Sequence, residues 1–247
     1  VIPTYNSSKY LDELLTSTLD LKYLDEIIIS DDSSDEVEFK KIKDVIQRKK
    51  FSNLSIKLNQ NKHNLGGFKN KYKGVELSKN NIVYQVDSDN IISSRTANFL
   101  NRQKNLELIQ NGNLFLPSKI KLFRKFKNIE SLLFFRNNDV LFTKLNKELD
   151  IKNVINELNK EELNKKDSSF KDRTLKSILN IGNPIFLRED YINFCKEGFE
   201  LKVDISAGDA IALSYFYLKN GGKIIFNKNL MHYHRMRNDS YWYEGGE

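Results

Sequence analysis

The first ninety residues alternate short apolar runs with segments of helical periodicity. Residues 1–5 (VIPTY) and 26–30 (EIIIS) are short and strand-like, and residues 54–58 (LSIKL) alternate with the period of a strand. Helical spacing follows the first run, at Leu11, Leu14, Leu15 and Leu19. This alternation predicts an α/β fold in which helices pack on a largely parallel sheet.

A further apolar run, residues 82–86 (IVYQV), ends abruptly at two carboxylates, Asp87 and Asp89. The preceding segment predicts a helix with one apolar face, formed by Phe68, Tyr72 and Val75. Three predicted strands therefore end in polar residues, in VIPTYN, IIISDD and YQVDSD. Ligands of parallel sheets bind beyond the carboxyl ends of the strands, so we expect these three tips to form one crevice.

The second half of the chain is less regular. Residues 144–176 mix Lys and Glu with few large apolar groups, which predicts solvated helices or a lid. The apolar pattern returns at residues 183–187 (NPIFL). Residues 210–218 (AIALSYFYL) then predict a buried helix, and residues 223–226 (KIIF) predict a last strand.

Composition narrows the classes of partner. The net charge of +7 favours anionic partners, but no long block of one sign occurs, so we expect no specific nucleic-acid binding. The single cysteine, Cys195, excludes an intrachain disulfide and predicts a core thiol in a cytoplasmic, reducing setting. No apolar run approaches the roughly 20 residues that span a bilayer.

Residues 114–128 (LFLPSKIKLFRKFKN) interleave basic and large apolar side chains. Such a segment could lie on an anionic membrane surface, which would place the protein at the inner face of the plasma membrane. The alternative, which the pattern favours, is a pair of half-buried elements whose Lys and Arg side chains extend to solvent.

The carboxylate pair Asp87 and Asp89 has two interpretations. Asp-Ser-Asp-Asn makes a good polar turn, yet two carboxylates one residue apart can also hold a hard divalent cation, with phosphates completing the coordination. Asp31 and Asp32 end another predicted strand, and Lys69 follows a Gly-Gly turn. A crevice with acidic groups, a lysine and a glycine turn suits a nucleotide diphosphate with a metal ion.

Three stretches resemble, in order and spacing, the nucleotide-sugar-binding half of family 2 glycosyltransferases: VIPTYN, IIISDDSSDE and NLGGFKNKYKGVELSKNNIVYQVDSDN. GNPIFLRED, SAGDAIALSYFYLKNGG and the tail agree more loosely. The resemblance implies a GT-A fold, a Rossmann-like mixed sheet flanked by helices. Residues 1–117 would be the nucleotide-sugar-binding half of one compact domain. Residues 118–247 would bind the acceptor and contain a charged helical insertion at about 144–176.

The resemblance also implies an activity. Such enzymes are inverting and metal-dependent, using Mn²⁺ or Mg²⁺ with a nucleotide-diphosphate sugar, normally a UDP-sugar. They transfer a hexosyl or N-acetylhexosaminyl group to a saccharide or glycoconjugate hydroxyl, typically in bacterial surface polysaccharide or glycan synthesis.

Donor-binding roles follow from the same resemblance. Thr4, Tyr5 and Asn6 at the first strand tip would contact the nucleotide, with Tyr5 against the base. Asp31 or Asp32 would accept a hydrogen bond from the base.

Further roles concern the diphosphate and the metal. Lys69, where the family usually has Arg, would face the diphosphate with its charge but without bidentate geometry. Asp87, with Ser88 beside it, would lie near the ribose or the metal. Asp89 would be the main metal ligand.

Asp209 matches the aspartate of the family's Glu-Asp pair, which would make it the general base, although Gly208 replaces the preceding Glu. The alternative is that Asp209 only caps the helix that follows it.

His232 and His234 lie on one face if the tail is extended, and the resemblance makes them candidate metal ligands, His234 first. Arg235 would stabilise charge on the departing diphosphate. Tyr241 and Trp242 could stack on a sugar or could serve only packing.

Two other functions fit parts of the pattern. A sugar-phosphate nucleotidyltransferase would need a glycine-rich basic loop after the first strand, and VIPTYNSSKY has no glycine there. A non-catalytic nucleotide-sugar or polyanion-binding module would fit the loss of the Glu at Gly208, but the retained Asp209 argues against it.

Overall fold

The computed structural model describes residues 1–49, 54–109, 112–126, 129–134, 148–149, 182–202 and 208–235. Its first half contains three parallel strands in the order β1-β2-β3: β1 (Ile2–Thr4), β2 (Glu26–Asp31) and β3 (Ser55–Gln60). The isoleucines of β2 are almost completely buried, as its apolar run predicts.

Helices connect these strands where the periodicity predicts them. Helix α1 (Ser8–Thr18) follows β1 and buries Leu11, Leu14 and Leu15, whereas Leu19 lies after its end and is exposed. Helix α2 (Glu36–Arg48) is capped by the preceding Asp35, whose side chain accepts from Glu38 N at 2.8 Å. Helix α3 (Gly67–Leu77) follows the Gly-Gly turn.

The remaining strands form a second sheet in the order β4-β9-β6-β10-β5, with β7 added to β6 and β8 to β10. Only β6 and β10 run parallel here, and the other described pairs are antiparallel. The strands are β4 (Ile82–Tyr84), β5 (Ile91–Ile92), β6 (Asn113–Phe126), β7 (Ile129–Phe134), β8 (Glu148–Leu149), β9 (Ile185–Leu187) and β10 (Lys223–Arg235).

Two backbone hydrogen bonds join the sheets. Val1 N donates to Tyr84 O, and Val86 N donates to Val1 O, each at 2.9 Å. The end of β4 therefore lies beside β1, and the carboxyl ends of β1, β2 and β4 meet at one edge. The mixed α/β class is confirmed, but the largely parallel arrangement holds only for the first half.

Four more helices complete the described chain: α4 (Ser94–Leu100), α5 (Gln103–Leu106), α6 (Arg188–Glu200) and α7 (Asp209–Lys219). Helices α3, α6 and α7 pack together, and Gly198 of α6 allows their close approach. A Cβ at that position would lie 2.4 Å from a ring carbon of Phe216 and 2.8 Å from one of Phe68. The helix predicted at 210–218 is confirmed, but only one face of it is buried, because Ile211 and Tyr215 are exposed. Cys195 is a fully buried core thiol.

Several sequence predictions concern the second half of the chain, part of which lies outside the described residues. Of the segment 144–176 only Glu148–Leu149 is described, and these residues form a short strand instead of a helix. Tyr241 and Trp242 lie outside the described residues. Residues 113–126 form one long strand, β6. None of the helices among the described residues is long and apolar enough to cross a membrane.

Candidate active site

The three strand tips converge, as the sequence predicts. A chain of buried hydroxyls links β1 to the turn after β4: Thr4 Oγ1 lies 2.7 Å from Ser7 Oγ, which lies 2.7 Å from Ser88 Oγ. Asn6 N donates to Ser34 Oγ at 2.9 Å, which joins the tips of β1 and β2. The hydroxyl of Ser7 thus bridges strand tips and does not cap α1.

Backbone conformation at this edge is unusual. Three non-glycine residues have left-handed φ angles: Asn6 at 47°, Ser33 at 67° and Asn183 at 61°. Such conformations are costly for L-residues and concentrate at functional sites. Tyr5 follows β1 and is 52% exposed, so its ring is accessible for stacking.

Asp31 is fully buried at the end of β2. Its Oδ1 accepts from Ser34 Oγ at 2.6 Å and its Oδ2 from Ser34 N at 3.0 Å. Burial raises the pKa of Asp31, although these hydrogen bonds act in the opposite direction. The carboxylate therefore organises the loop between β2 and α2.

Asp32 organises the turn that leads into α3. Its Oδ1 accepts from Leu65 N at 2.8 Å and Asn61 Nδ2 at 3.0 Å, and its Oδ2 accepts from Gly66 N at 2.9 Å. Asp31 and Asp32, at the end of β2, thus hold two loops of the crevice in place. Hydrogen bonding to the base by either residue stays a prediction.

We expect Asp32→Ala to lower the free energy of unfolding by about 1 to 3 kcal/mol, because the partly buried Leu65 N loses its acceptor. The donors Gly66 N and Asn61 Nδ2 lose one of two acceptors and keep Asn64 Oδ1 and Asn70 Oδ1. Urea denaturation measures the change. Asp44→Ala, on the exposed side of α2, is the matched control and should have little effect. Equal stability of the two variants would contradict this role of Asp32.

Lys71 of α3 connects two carboxylates from distant parts of the chain. Its Nζ lies 2.8 Å from Asp87 Oδ1 and 2.7 Å from Asp209 Oδ2. The Lys71 side chain is only 10% exposed, whereas those of Asp87 and Asp209 are 31% and 21% exposed. The cluster therefore lies at the floor of an open crevice.

Charge pairing outweighs burial in this cluster. Burial acts to lower the pKa of Lys71, but Asp209 and Asp87 raise it above its usual range. Burial acts to raise the pKa of Asp87, but Lys71 and then His232 and His234 lower it overall. Lys71 and Asp87 are thus both charged at neutral pH.

The side chain of Asp209 does not cap the helix that follows it. Asp209 is the first residue of α7, the N-cap is Gly208, and no side-chain hydrogen bond caps this helix. The Asp209 carboxylate instead reaches Lys71 in the crevice.

Sequence reasoning missed Lys71, and the contact of Lys69 with the diphosphate stays a prediction. Lys69, predicted to face the diphosphate, donates to the carbonyl of Leu201. Lys71 lies three residues after Phe68 and four before Val75, so it shares the buried face of α3. A lysine on the apolar face of an amphipathic helix was the signal that could have revealed it.

Histidine and asparagine side chains form the second wall. Asn90 Nδ2 lies 3.0 Å from His232 Nε2, and Asn183 Oδ1 accepts from Asp87 N at 3.3 Å. Burial lowers the pKa of His232 to about 3, with a further contribution from His234. His232 is therefore neutral at physiological pH, and its Nδ1 is buried without a hydrogen-bond partner.

Gly182 leaves a small space beside this wall. A Cβ there would lie 3.2 Å from Asp87 Oδ2 and 3.4 Å from His232 Cε1. The side chain of any other residue would enter the space between carboxylate and imidazole.

We expect Gly182→Ala to lower the free energy of unfolding by about 1 to 3 kcal/mol, the usual effect of overpacking. Chemical denaturation measures it. Gly208→Ala is the control, because a Cβ there meets nothing within 4 Å. A Gly182→Ala protein as stable as the control would show that the crevice can widen at this point.

Arg235 is buried at the end of β10. Its Nη2 lies 2.5 Å from Glu13 Oε2, its Nε donates to Asp89 O at 2.8 Å, and its guanidinium lies 4.8 Å from the Tyr10 ring. Arg235 thus ties α1 to β10 and to the turn of Asp89. Its predicted contact with the diphosphate stays a prediction.

The carboxylates provide the charge and the oxygen ligands that a hard cation prefers, but they do not form a complete binding site. Asp87 and Asp209 contribute two carboxylates to the cluster and Lys71 contributes one positive charge, so the cluster carries an excess of negative charge. Within the described ranges no three His, Cys, Asp or Glu side chains are grouped to hold a metal ion. A cation here would need further ligands, such as diphosphate oxygens.

A cavity of about 830 Å³ lies elsewhere, at the amino ends of β2 and β4, with Ile27, Ile28, Ile82 and Val83 among its lining residues. Its lining does not include Thr4, Asp31 or Asp87, so it is not part of the candidate site.

Solved structures of glycosyltransferases have a similar fold. S. aureus TarS 1-349 has a TM-score of 0.55 and 19% identity, covering 95% of this chain and 59% of that one. The mannosyltransferase PcManGT from Pyrobaculum calidifontis, in complex with GDP-Man and Mn²⁺, has a TM-score of 0.59 and 14% identity, covering 97% and 57%. GalNAc-T7 with UDP, GalNAc and Mn²⁺ has a TM-score of 0.60 and 15% identity, covering 96% and 43%.

These similarities define the class as a GT-A fold, and the chain spans about half the length of the proteins it matches. The sequence model of glycosyl transferase family 2 matches residues 1–127, slightly more than half of the chain. The chain therefore belongs to glycosyl transferase family 2. No curated protein sequence matches it significantly.

Proposed function

We propose that this chain is a metal-dependent, inverting glycosyltransferase that moves a sugar from a nucleotide-diphosphate sugar to a hydroxyl of a saccharide or glycoconjugate. The observation that carries the proposal is the ion-pair chain Asp87–Lys71–Asp209, which brings a carboxylate of the second half to the strand tips of the first. Family membership and fold support the reaction class.

Asp209 is the general base of this proposal. The acceptor oxygen attacks the anomeric carbon, its O–H bond breaks, and Asp209 takes the proton. The bond between the anomeric carbon and the diphosphate oxygen breaks at the same time, and its electron pair leaves with the nucleotide diphosphate. Attack opposite the leaving group inverts the anomeric configuration.

The donor would lie along the three strand tips. Tyr5 is exposed there and can stack on the base, and the hydroxyl chain from Thr4 to Ser88 fixes the turn of Asp87 relative to β1. Asp31 and Asp32 hold the loops that border this surface. A UDP-sugar is the first donor to test.

Asp87, Asp89 and His234 would hold Mn²⁺ or Mg²⁺, which, when bound, stabilises the negative charge of the departing diphosphate. Lys71 already neutralises part of the charge of Asp87, and the resemblance to the family makes Asp89 the expected main ligand. The acceptor would approach from the side of α7, where Asp209 lies.

The test is incubation with UDP-, GDP- and CMP-sugars with and without Mn²⁺, with donor hydrolysis and transfer to a panel of saccharides as readouts. We expect one donor class to turn over only with metal and Asp89→Ala to abolish turnover. Asp44→Ala, away from the crevice, should keep it. Tight donor binding without turnover on any acceptor would overturn the proposal in favour of a binding module.

A further inference from the structure

We propose that His232 binds a hydroxyl group of the donor: its Nδ1–H donates to that hydroxyl, which in turn donates to Asp87 Oδ2. This inference rests on the proposed function and assigns His232 to sugar or ribose recognition instead of metal binding. It makes Asn90 a positioning residue, because Asn90 sets the tautomer of the imidazole.

Neighbouring hydrogen bonds fix that tautomer. Arg235 N donates to Asn90 Oδ1 at 3.2 Å, so the amide nitrogen of Asn90 is the atom that faces His232 Nε2 at 3.0 Å. An amide nitrogen only donates, and Nε2 must therefore accept. In a neutral imidazole the proton then resides on Nδ1.

That Nδ1–H has no partner within the described protein. The atom is buried and His232 is 4% exposed, so an unmatched donor here costs free energy unless a ligand or water accepts from it. A second unpartnered donor, Asn183 Nδ2, is buried in the same wall. Asn183 and His232 are joined through Asn90, whose amide contacts both.

The space above Gly182 determines which chemical group suits this donor. A Cβ at Gly182 would lie 3.2 Å from Asp87 Oδ2 and 4.0 Å from His232 Nδ1, so both atoms border the space beside this glycine. A ligand hydroxyl in this space can accept from His232 Nδ1–H and donate to Asp87 Oδ2. A phosphate oxygen would be repelled by the carboxylate, and a cation would meet the N–H hydrogen instead of a lone pair.

If Nδ1 of His232 bound a metal ion, the proton of the neutral imidazole would reside on Nε2. Its Nε2–H would then point at the amide N–H of Asn90, and Asn90 cannot turn over without losing its bond to Arg235 N. The cation would therefore depend on the carboxylates and His234, and not on His232.

Two-bond ¹H–¹⁵N NMR of the imidazoles tests the tautomer directly. The chain has three histidines, and His63→Gln, at an exposed position, is the matched variant for assignment. We expect the Nδ1–H form of His232 in the free protein and after addition of Mg²⁺ and UDP. An Nε2–H form in either state would overturn the proposal.

Titration calorimetry of His232→Phe tests the ligand. We expect about 3- to 10-fold weaker binding, the effect of one hydrogen bond, with or without metal. UDP and UDP-sugar are compared: a loss already seen with UDP identifies a ribose hydroxyl, and a loss seen only with UDP-sugar identifies a sugar hydroxyl. Unchanged affinity for both would overturn the proposal.

Mn²⁺ affinity, measured by electron paramagnetic resonance with UDP present, tests the alternative that His232 is a metal ligand. We expect His232→Phe to leave it within about twofold and Asp89→Ala to lower it by 10-fold or more. Equal losses in both variants would overturn the proposal. If no nucleotide binds the wild-type protein, the proposed function fails, whereas the tautomer in the free protein is still read by NMR.

Discussion

Asp209→Asn should reduce sugar transfer by about 10²- to 10⁴-fold, the usual contribution of a general base. The amide has nearly the shape of the carboxylate and can still accept from Lys71, so the cluster should keep its geometry. Steady-state transfer to the best acceptor measures the loss in kcat. Calorimetric affinity for the nucleotide should change little, because the base acts on the acceptor.

Glu189→Gln, at an exposed position in the first turn of α6, is the matched acid-to-amide control and should leave transfer unchanged. Transfer by Asp209→Asn within tenfold of wild type, alongside an inactive Asp89→Ala, would show that another group removes the proton. The base assignment would then fail while the reaction class stands.

Lys71→Met should reduce transfer by at least about 100-fold. The substitution keeps approximately the length of the side chain but removes the ammonium group between Asp87 and Asp209, so the two carboxylates repel each other. Displacement of reacting groups by about 1 Å can lower the rate about 100-fold. The free energy of unfolding should fall by about 1 to 3 kcal/mol, less than for a fully buried pair because both carboxylates are partly exposed.

Lys69→Met is the control for Lys71→Met, since both lysines lie on α3 and only Lys71 reaches the carboxylates. We expect near wild-type transfer from Lys69→Met. The reverse result, with Lys69→Met inactive and Lys71→Met active, would restore the interpretation drawn from sequence.

The ion pair also predicts a pH dependence of stability. The folded pKa of Asp87 is lowered, so its contribution is present above its unfolded value of about 3.9 and is lost as pH falls through the folded value. The folded pKa of Lys71 is raised, so its contribution is present below about 10.4 and is lost as pH rises through the folded value.

Denaturation curves should therefore show the difference between wild type and Lys71→Met constant from about pH 5 to 9 and smaller below pH 4. A difference that grows on acidification would contradict the pairing of Lys71 with Asp87.

Local side-chain patterns in the sequence predicted much of the secondary structure of the first half. The apolar stripe of α1, the isoleucine run of β2 and the alternation in β3 follow from side-chain periodicity, which depends only on neighbouring residues. The convergence of the strand tips was also predictable, because parallel strands place their carboxyl ends at one edge. These features brought Thr4, Asp31 and Asp87 to one crevice.

Long-range pairing was not predictable in the same way. The second sheet brings together β9, β6 and β10 from distant segments of the chain, and no local period specifies such partners. The sequence predicted Lys69 because it follows a glycine turn, whereas helical geometry directs Lys71 to the carboxylates.

The sequence by itself determined the α/β class, the family and the acidic strand tip at Asp87 and Asp89. The tertiary structure alone decided which groups meet there: Lys71 between Asp87 and Asp209, Asn90 against His232, and Arg235 with Glu13. Periodicity fixes which face of an element is buried. The partner of a buried charge depends on how elements far apart in the chain pack together.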